Sequence, residues 1–206
     1  MASQITHVVY GQLVLGKFLN GRKNLNLRNF FIGTLFPDIR YLGTIPKEKT
    51  HFEKDPNLSG LLTQTTSFKA GLYTHLLIDV ERERVVERLN FYQLFPKEPI
   101  TQYAMKFLED EFTYSRYRNW KEIQIYLNNA LPEEFEFTDQ KTVRKWHSIL
   151  NDYFAVPPSP ESVVRFASHL LIPTDALPAM TKKVHEIRQH KKAIDIIANT
   201  QFQLFK

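Results

Sequence analysis

Residues 71–83, GLYTHLLIDVERE, have to lie near the middle of whatever this chain folds into. Leu72, Tyr73, Leu76, Leu77, Ile78 and Val80 leave almost no polar face, and a helix that is apolar nearly all round needs packing partners on several sides. Thr66 or Ser67 can cap it, so the spacing predicts a helix over about 66–90. Into this segment the chain sets His75 and Asp79, which project within about 40° of each other at 100° per residue. Phe68, Gly71, Leu72, Val86 and Leu89 share that stripe, so the pair faces the core. Burying a carboxylate against a single imidazole leaves it under-compensated by several kcal/mol. Two readings follow. Either further hydrogen-bond partners satisfy the pair, or both side chains hold a divalent cation, for which H-x-x-x-D on one helix face is a workable clamp.

The rest of the chain reads as helix too. Ser3 can cap a helix running to about Phe18, with Ile5, Val8, Val9, Leu13 and Leu15 available for burial. A second is expected over about 28–36, ending at Pro37 because Phe36 is disfavoured in helical conformation before a proline. Residues 38–65 look mostly irregular, with Gly43, Pro46, Pro56 and Gly60 as breakers. Further helices are expected at about 99–112, 119–130, 139–155, 160–171 and 178–200, with Pro99, Thr138 and Pro160 marking starts. Strand alternation is weak throughout. The expectation is an all-α, single-domain, multi-helix bundle over 1–206, with a polar-cluster half at about 1–90 and a helical remainder at about 91–206.

Composition narrows the chemistry. The chain has no cysteine, so disulfides, thiolate zinc sites and cysteine nucleophiles are excluded, and any metal must be held by His, Asp, Glu or backbone groups. Its net charge of +5 favours anionic partners: a phosphoester substrate, nucleic acid or an acidic membrane surface. No segment approaches the roughly 20 apolar residues that cross a bilayer. The amino-terminal stretch MASQITHVVYGQLVLGKF lacks a positive n-region and a clean apolar h-region. It is expected to belong to the mature fold of a cytoplasmic protein.

Three further segments bear on His75 and Asp79. GTLFPDIRYL ends an apolar helix and leaves Asp38 at the break, where it either caps the next segment or points inward. KTHF places His51 thirteen residues later, and His7 sits in the first helix. Taken alone, each of these is more often a turn aspartate or an ordinary surface or core histidine. In the order His7, Asp38, His51, His75, Asp79 they resemble the all-helical zinc-dependent phospholipase C fold shared with the fungal single-strand-specific nucleases. The resemblance rests on His7, GTLFPDI, KTHF and AGLYTHLLID and covers roughly residues 5–85. It implies that Asp38, His51, His75 and Asp79 surround one zinc ion, that Asp79 bridges to a second bound by His7, and that Asp38 also acts as general base toward a metal-activated water.

The sequence departs from that family at one place. No second H-x-x-x-E or H-x-x-x-D pair follows Asp79; in HSILND, His147 faces Asn151, and Val143, Leu150 and Phe154 mark it as a core histidine. One or two metal ions are therefore expected rather than three. His169, His185 and His190 have no carboxylate on the same helical face. TKKVHEIRQHKKAIDII is a basic amphipathic helix, with Lys182, Lys183, Arg188, Lys191 and Lys192, that could meet nucleic acid or an acidic membrane surface but reads by default as a solvated face. ERERVVER reads as a solvated salt-bridge face. The expected function is a metal-dependent phosphoester hydrolase. The alternatives are a non-catalytic protein with a structural metal that binds a partner through its basic face, and a helical protein whose polar cluster holds no metal.

Overall fold

The computed structural model describes residues 3–170 and 176–206, and every regular element among them is helical. Helix α1 spans Gln4–Val14 and continues through a π-helical turn at Leu15–Leu19; α2 spans Leu27–Leu35 and runs into a 3₁₀ turn at Phe36–Leu42. Two short helices follow, α3 (Lys47–Thr50) and α4 (Leu58–Leu62), in the stretch expected to be irregular. The long apolar helix is α5, Ser67–Arg88, capped by the Thr66 hydroxyl on the Lys69 amide. After it come α6 (Phe91–Leu94), α7 (Pro99–Tyr114), α8 (Trp120–Tyr126), a 3₁₀ turn at Pro132–Glu136, α9 (Gln140–Phe154), α10 (Pro160–Ser168), α11 (Ala176–Gln189) and α12 (Lys191–Gln203).

Several boundaries differ from the sequence reading. Phe36 keeps helical backbone angles in front of Pro37, because the chain tightens into a 3₁₀ turn instead of stopping. Gly43, at φ +76°, ends that turn in a conformation that side-chain-bearing residues rarely adopt. The helix expected over 178–200 is two helices: His190 breaks it and its side chain accepts from the Ala193 amide. Ser3 does stand at the start of α1, but its hydroxyl bonds Asp110 rather than capping the helix. The Leu171 end of the helix expected over 160–171, and Pro173 after it, lie outside the described residues.

The α2–α5 crossing fixes the geometry of the first half. A Cβ on Gly33 would stand 2.2 Å from the Phe68 carbonyl oxygen, and one on Gly71 would stand 2.1 Å from that of Phe30. Only two facing glycines allow backbones this close. The crossing places the C-terminal end of α2 against the turn of α5 that follows Gly71, where His75 lies. The last carbonyls of a helix have no partner within it, and side chains from neighbouring helices reach those of α2: Thr34 O accepts from His75 Nδ1 at 2.9 Å and Leu35 O from Trp146 Nε1 at 3.2 Å.

Helix α7 carries a buried polar stripe. Lys106, Glu109, Asp110 and Thr113 recur at helical spacing, and all four are buried. Arg82, from the ERERVVER segment expected to be solvated, is also buried and donates to Glu109 at 2.6 Å, while Tyr10 donates to the other Glu109 oxygen at 2.5 Å. Asp110 accepts from the Ser3 and Tyr153 hydroxyls and from the amide and hydroxyl of Thr6, all within 2.9 Å.

Burial nevertheless pushes the Asp110 carboxyl up to about 6, against the effect of those donors. The folded state therefore holds this proton more tightly than the unfolded chain, and the stabilisation it gives is present at acid pH and lost as pH rises through about 6. Relative to an Asp110→Asn variant, the wild-type unfolding free energy is expected to decline between about pH 4 and pH 7. Denaturant melts across that range check the slope.

Candidate metal centre

The five residues picked out from the sequence come from four separate stretches and meet at one place. His7 is on α1, Asp38 in the 3₁₀ turn after α2, His51 directly after α3, and His75 and Asp79 on α5. His7, Asp38, His75 and Asp79 are buried, and His51 is nearly so. His7 and His75 stack face to face, ring centres 3.8 Å apart at 8°, and the His51 ring meets His75 edge-on at 5.3 Å.

The protonation of two imidazoles follows from their partners. A carbonyl only accepts, so the contact with Thr34 O puts hydrogen on His75 Nδ1 and leaves the lone pair on Nε2. Thr50 Oγ1 reaches Lys47 O at 3.3 Å and so directs its hydrogen there; its oxygen then accepts from His51 Nδ1 at 3.0 Å, again leaving Nε2 with the lone pair. Burial, followed by the neighbouring His7, pulls the pKa of His75 down to about 3, so it is neutral at ordinary pH. Burial opposes ionisation of Asp38, but the polar groups facing it, the fixed charge of Arg40 among them, hold its carboxyl below the usual range; Asp79 is held well below it, with His75, His51 and His7 turned toward its oxygens. The result is two buried carboxylates among imidazoles.

The distances say what these groups are not doing. His7 Nε2 lies 3.4 Å from Asp79 Oδ1; His75 Nε2 and His51 Nε2 lie 3.6 and 3.8 Å from Asp79 Oδ2; His75 Nε2 lies 3.8 Å from Asp38 Oδ1. Good hydrogen bonds of this type span about 2.7–3.2 Å. Ligands about 2.1 Å from a shared tetrahedral ion stand roughly 3.4 Å apart. The Nε2 atoms of His7, His51 and His75 and Oδ1 of Asp38 are buried with no hydrogen-bond partner among the described residues. Two overlapping triads, His7–His75–Asp79 and Asp38–His51–His75, bring one donor atom each to within 4.8 Å of one another. These groups could hold a metal ion.

Outer contacts hold the donors in place. Gln4 Nε2 donates to Asp38 Oδ2 at 2.6 Å and turns Oδ1 toward His75; Arg40 Nη2 stands 3.7 Å from that Oδ1. An open cleft of about 370 Å³ reaches the cluster, lined by His51 and Asp79 with Lys47, Glu53, Lys54 and Glu83 around them.

The remaining histidines lie outside this cluster. His147 is buried and bridges the Leu127 carbonyl at 2.9 Å and Glu134 at 2.7 Å, so its carboxylate partner comes from the 3₁₀ turn before α9 and not from its own helix. Of the basic helix, Arg188 pairs with Glu111 and Lys183 with Glu186, leaving Lys182, Lys191 and Lys192 exposed. Gln4, Thr34 and Lys106, which surround the cluster, carry no signal in the sequence. No helix among the described residues is long and apolar enough to cross a membrane. The fold and cluster define an all-helical protein with a buried His/Asp group suited to a metal ion. Comparison with known proteins finds no family model, no curated protein and no solved structure that matches the chain.

Proposed function

We propose that the chain is a zinc-dependent phosphoester hydrolase, related in design to the zinc-dependent phospholipase C and single-strand nuclease fold that its amino-terminal part resembles. The observation that carries this reading is the spacing of donors: lone pairs of three imidazoles and two carboxylates converge at separations too long for hydrogen bonding and right for ligands of a common ion. His7, His75 and Asp79 would hold one ion, and Asp38 and His51 a second beside it, with Asp79 offering its two oxygens to different imidazoles. Zinc bound there supplies an acidified water and a Lewis acid for a phosphoryl oxygen. The chain's own part is to orient the donors through Thr34, Thr50 and Gln4, to keep Asp38 ionised as an acceptor for the proton of the attacking water, and to admit an anionic ester through the cleft at His51 and Asp79.

Hydrolysis of bis-p-nitrophenyl phosphate by the zinc-loaded protein tests this. Asp38→Asn is expected to lower the rate by about 10²–10⁴-fold, the range of a positioned base. A fully loaded wild-type protein without hydrolysis would favour the non-catalytic alternative, a structural metal on a binding module. One observation speaks for that alternative: His147, which the sequence offers as the nearest start of a second helical ligand pair, is fully engaged by Leu127 and Glu134.

A further inference from the structure

Behind Asp38, on α7, lies a lysine the proposed chemistry has not used. Lys106 is only 7% exposed, and among the described residues no carboxylate lies within ion-pair distance of its ammonium; Asp38 and Asp79 attract it from further off. Two aromatic faces flank it: Nζ stands 5.6 Å from the Tyr103 ring centre and 5.9 Å from that of Tyr41. At the outer edge of cation–π range, two tyrosine faces return less than the burial of an ammonium costs. The ammonium faces a small pocket of about 30 Å³, bounded by Gln4, Asp38, Tyr41, Tyr103, Lys106 and Phe166. The pocket has room for one or two water-sized atoms. Gln4 Oε1, at the same pocket, is buried without a donor.

Charge decides what those atoms should be. Arg82 is neutralised by Glu109. Around the centre itself, Asp38 and Asp79 are matched by Arg40 and Lys106, so the ligand set with its two cations is neutral before any ion binds. One divalent ion leaves two positive charges in a walled, low-dielectric space, where attraction for an anion is several times stronger than in water. A phosphate monoester carries about −1.5 to −2 near neutral pH.

Resting on the metal reading above, we infer that Lys106 is an anion receiver: it takes a non-bridging oxygen of a phosphoryl group bound at the metal centre, and the preferred ligand is a phosphate monoester or inorganic phosphate. The pocket is too small for an acyl chain or a sugar, so only the phosphoryl oxygens enter it.

The test uses the full chain, zinc-loaded and desalted, titrated calorimetrically with inorganic phosphate, with the zinc content of each sample measured. Lys106→Met is expected to weaken phosphate binding about tenfold or more, the worth of a charged hydrogen bond, at unchanged zinc content and circular dichroism. Lys106→Arg is expected to stay within a few-fold of wild type. A parallel titration with phosphatidate vesicles separates a lipid headgroup from a free anion, and a Lys106 effect in either arm supports the inference. Unchanged affinity of a zinc-loaded Lys106→Met protein in both arms overturns it and leaves a water between Lys106 and Gln4 as the occupant. Loss of zinc from the Met variant alone also overturns it, since Lys106 would then act on the metal. Absence of zinc from the wild type defeats the metal reading itself and this inference with it.

Discussion

His75→Ala is expected to abolish stoichiometric metal binding. The Nε2 atom it removes is a donor in either triad, so the ion that takes its single lone pair loses a direct ligand whichever grouping holds. Losing an outer-shell partner typically weakens a site about 10–100-fold, and the loss of a direct ligand should exceed that. The same change removes the donor to Thr34 O, leaving a buried carbonyl unpaired at a cost of about 1–3 kcal/mol. Asp79→Asn separates the two effects. It keeps side-chain shape and the Thr34 bond but removes the charge facing His7, His51 and His75. Metal should be lost in both variants, and the metal-free protein should melt lower in each for a different reason: His75→Ala leaves the Thr34 carbonyl unpaired, whereas Asp79→Asn removes a carboxylate charge that the fold favours.

The second large effect is structural and reaches the site indirectly. An alanine replacing a glycine inside a helix ordinarily gains up to about 1 kcal/mol. At position 71 the sign is expected to reverse, because the new Cβ would lie 2.1 Å from the Phe30 carbonyl oxygen and 2.8 Å from the Thr34 amide nitrogen. Backbone cannot rotate away as a side chain can, so α2 and α5 must separate. Overpacking of this kind costs about 3 kcal/mol, which for a chain of this size lowers the melting temperature by roughly 6–12 °C. Separating the helices also lengthens the His75–Thr34 bond and withdraws Asp38 from His75. A weakened metal affinity should therefore accompany the lower melting point. A Gly71→Ala protein at least as stable as wild type would contradict the close crossing.

Much of this arrangement is legible in the sequence, for a definite reason. His75 and Asp79 lie one turn apart on a stretch of helix with almost no polar face, so their burial can be read from periodicity alone. Asp38 is marked by the break at Pro37. The helical class follows from spacing in the same way. What escapes are the features that depend on pairs distant in the chain. Gly33 and Gly71 each look like a local feature of their own helix, and only their juxtaposition makes the crossing. Arg82 looks solvated amid ERERVVER because its partner, Glu109, comes from a different helix, α7. Asp110 and Lys106 look like the wet side of an amphipathic helix; hydroxyls from Ser3, Thr6 and Tyr153 make burial of Asp110 possible. Helix α12 begins at His190 without proline or glycine, so the break there carries no ordinary punctuation. Helical spacing directs the search for a partner of His147 to i+4, whereas the fold supplies Glu134 from the other direction.

The central claim is that three imidazoles and two carboxylates are arranged around metal and not around each other. Elemental analysis of the purified protein, paired with thermal melts in the presence and absence of a chelator, tests it most directly. One or two zinc ions per chain are expected, with a melting temperature that falls on chelation; an ion at a hundred times its dissociation constant contributes about 2.7 kcal/mol. A protein that takes up no divalent metal and melts identically with and without chelator would contradict the account.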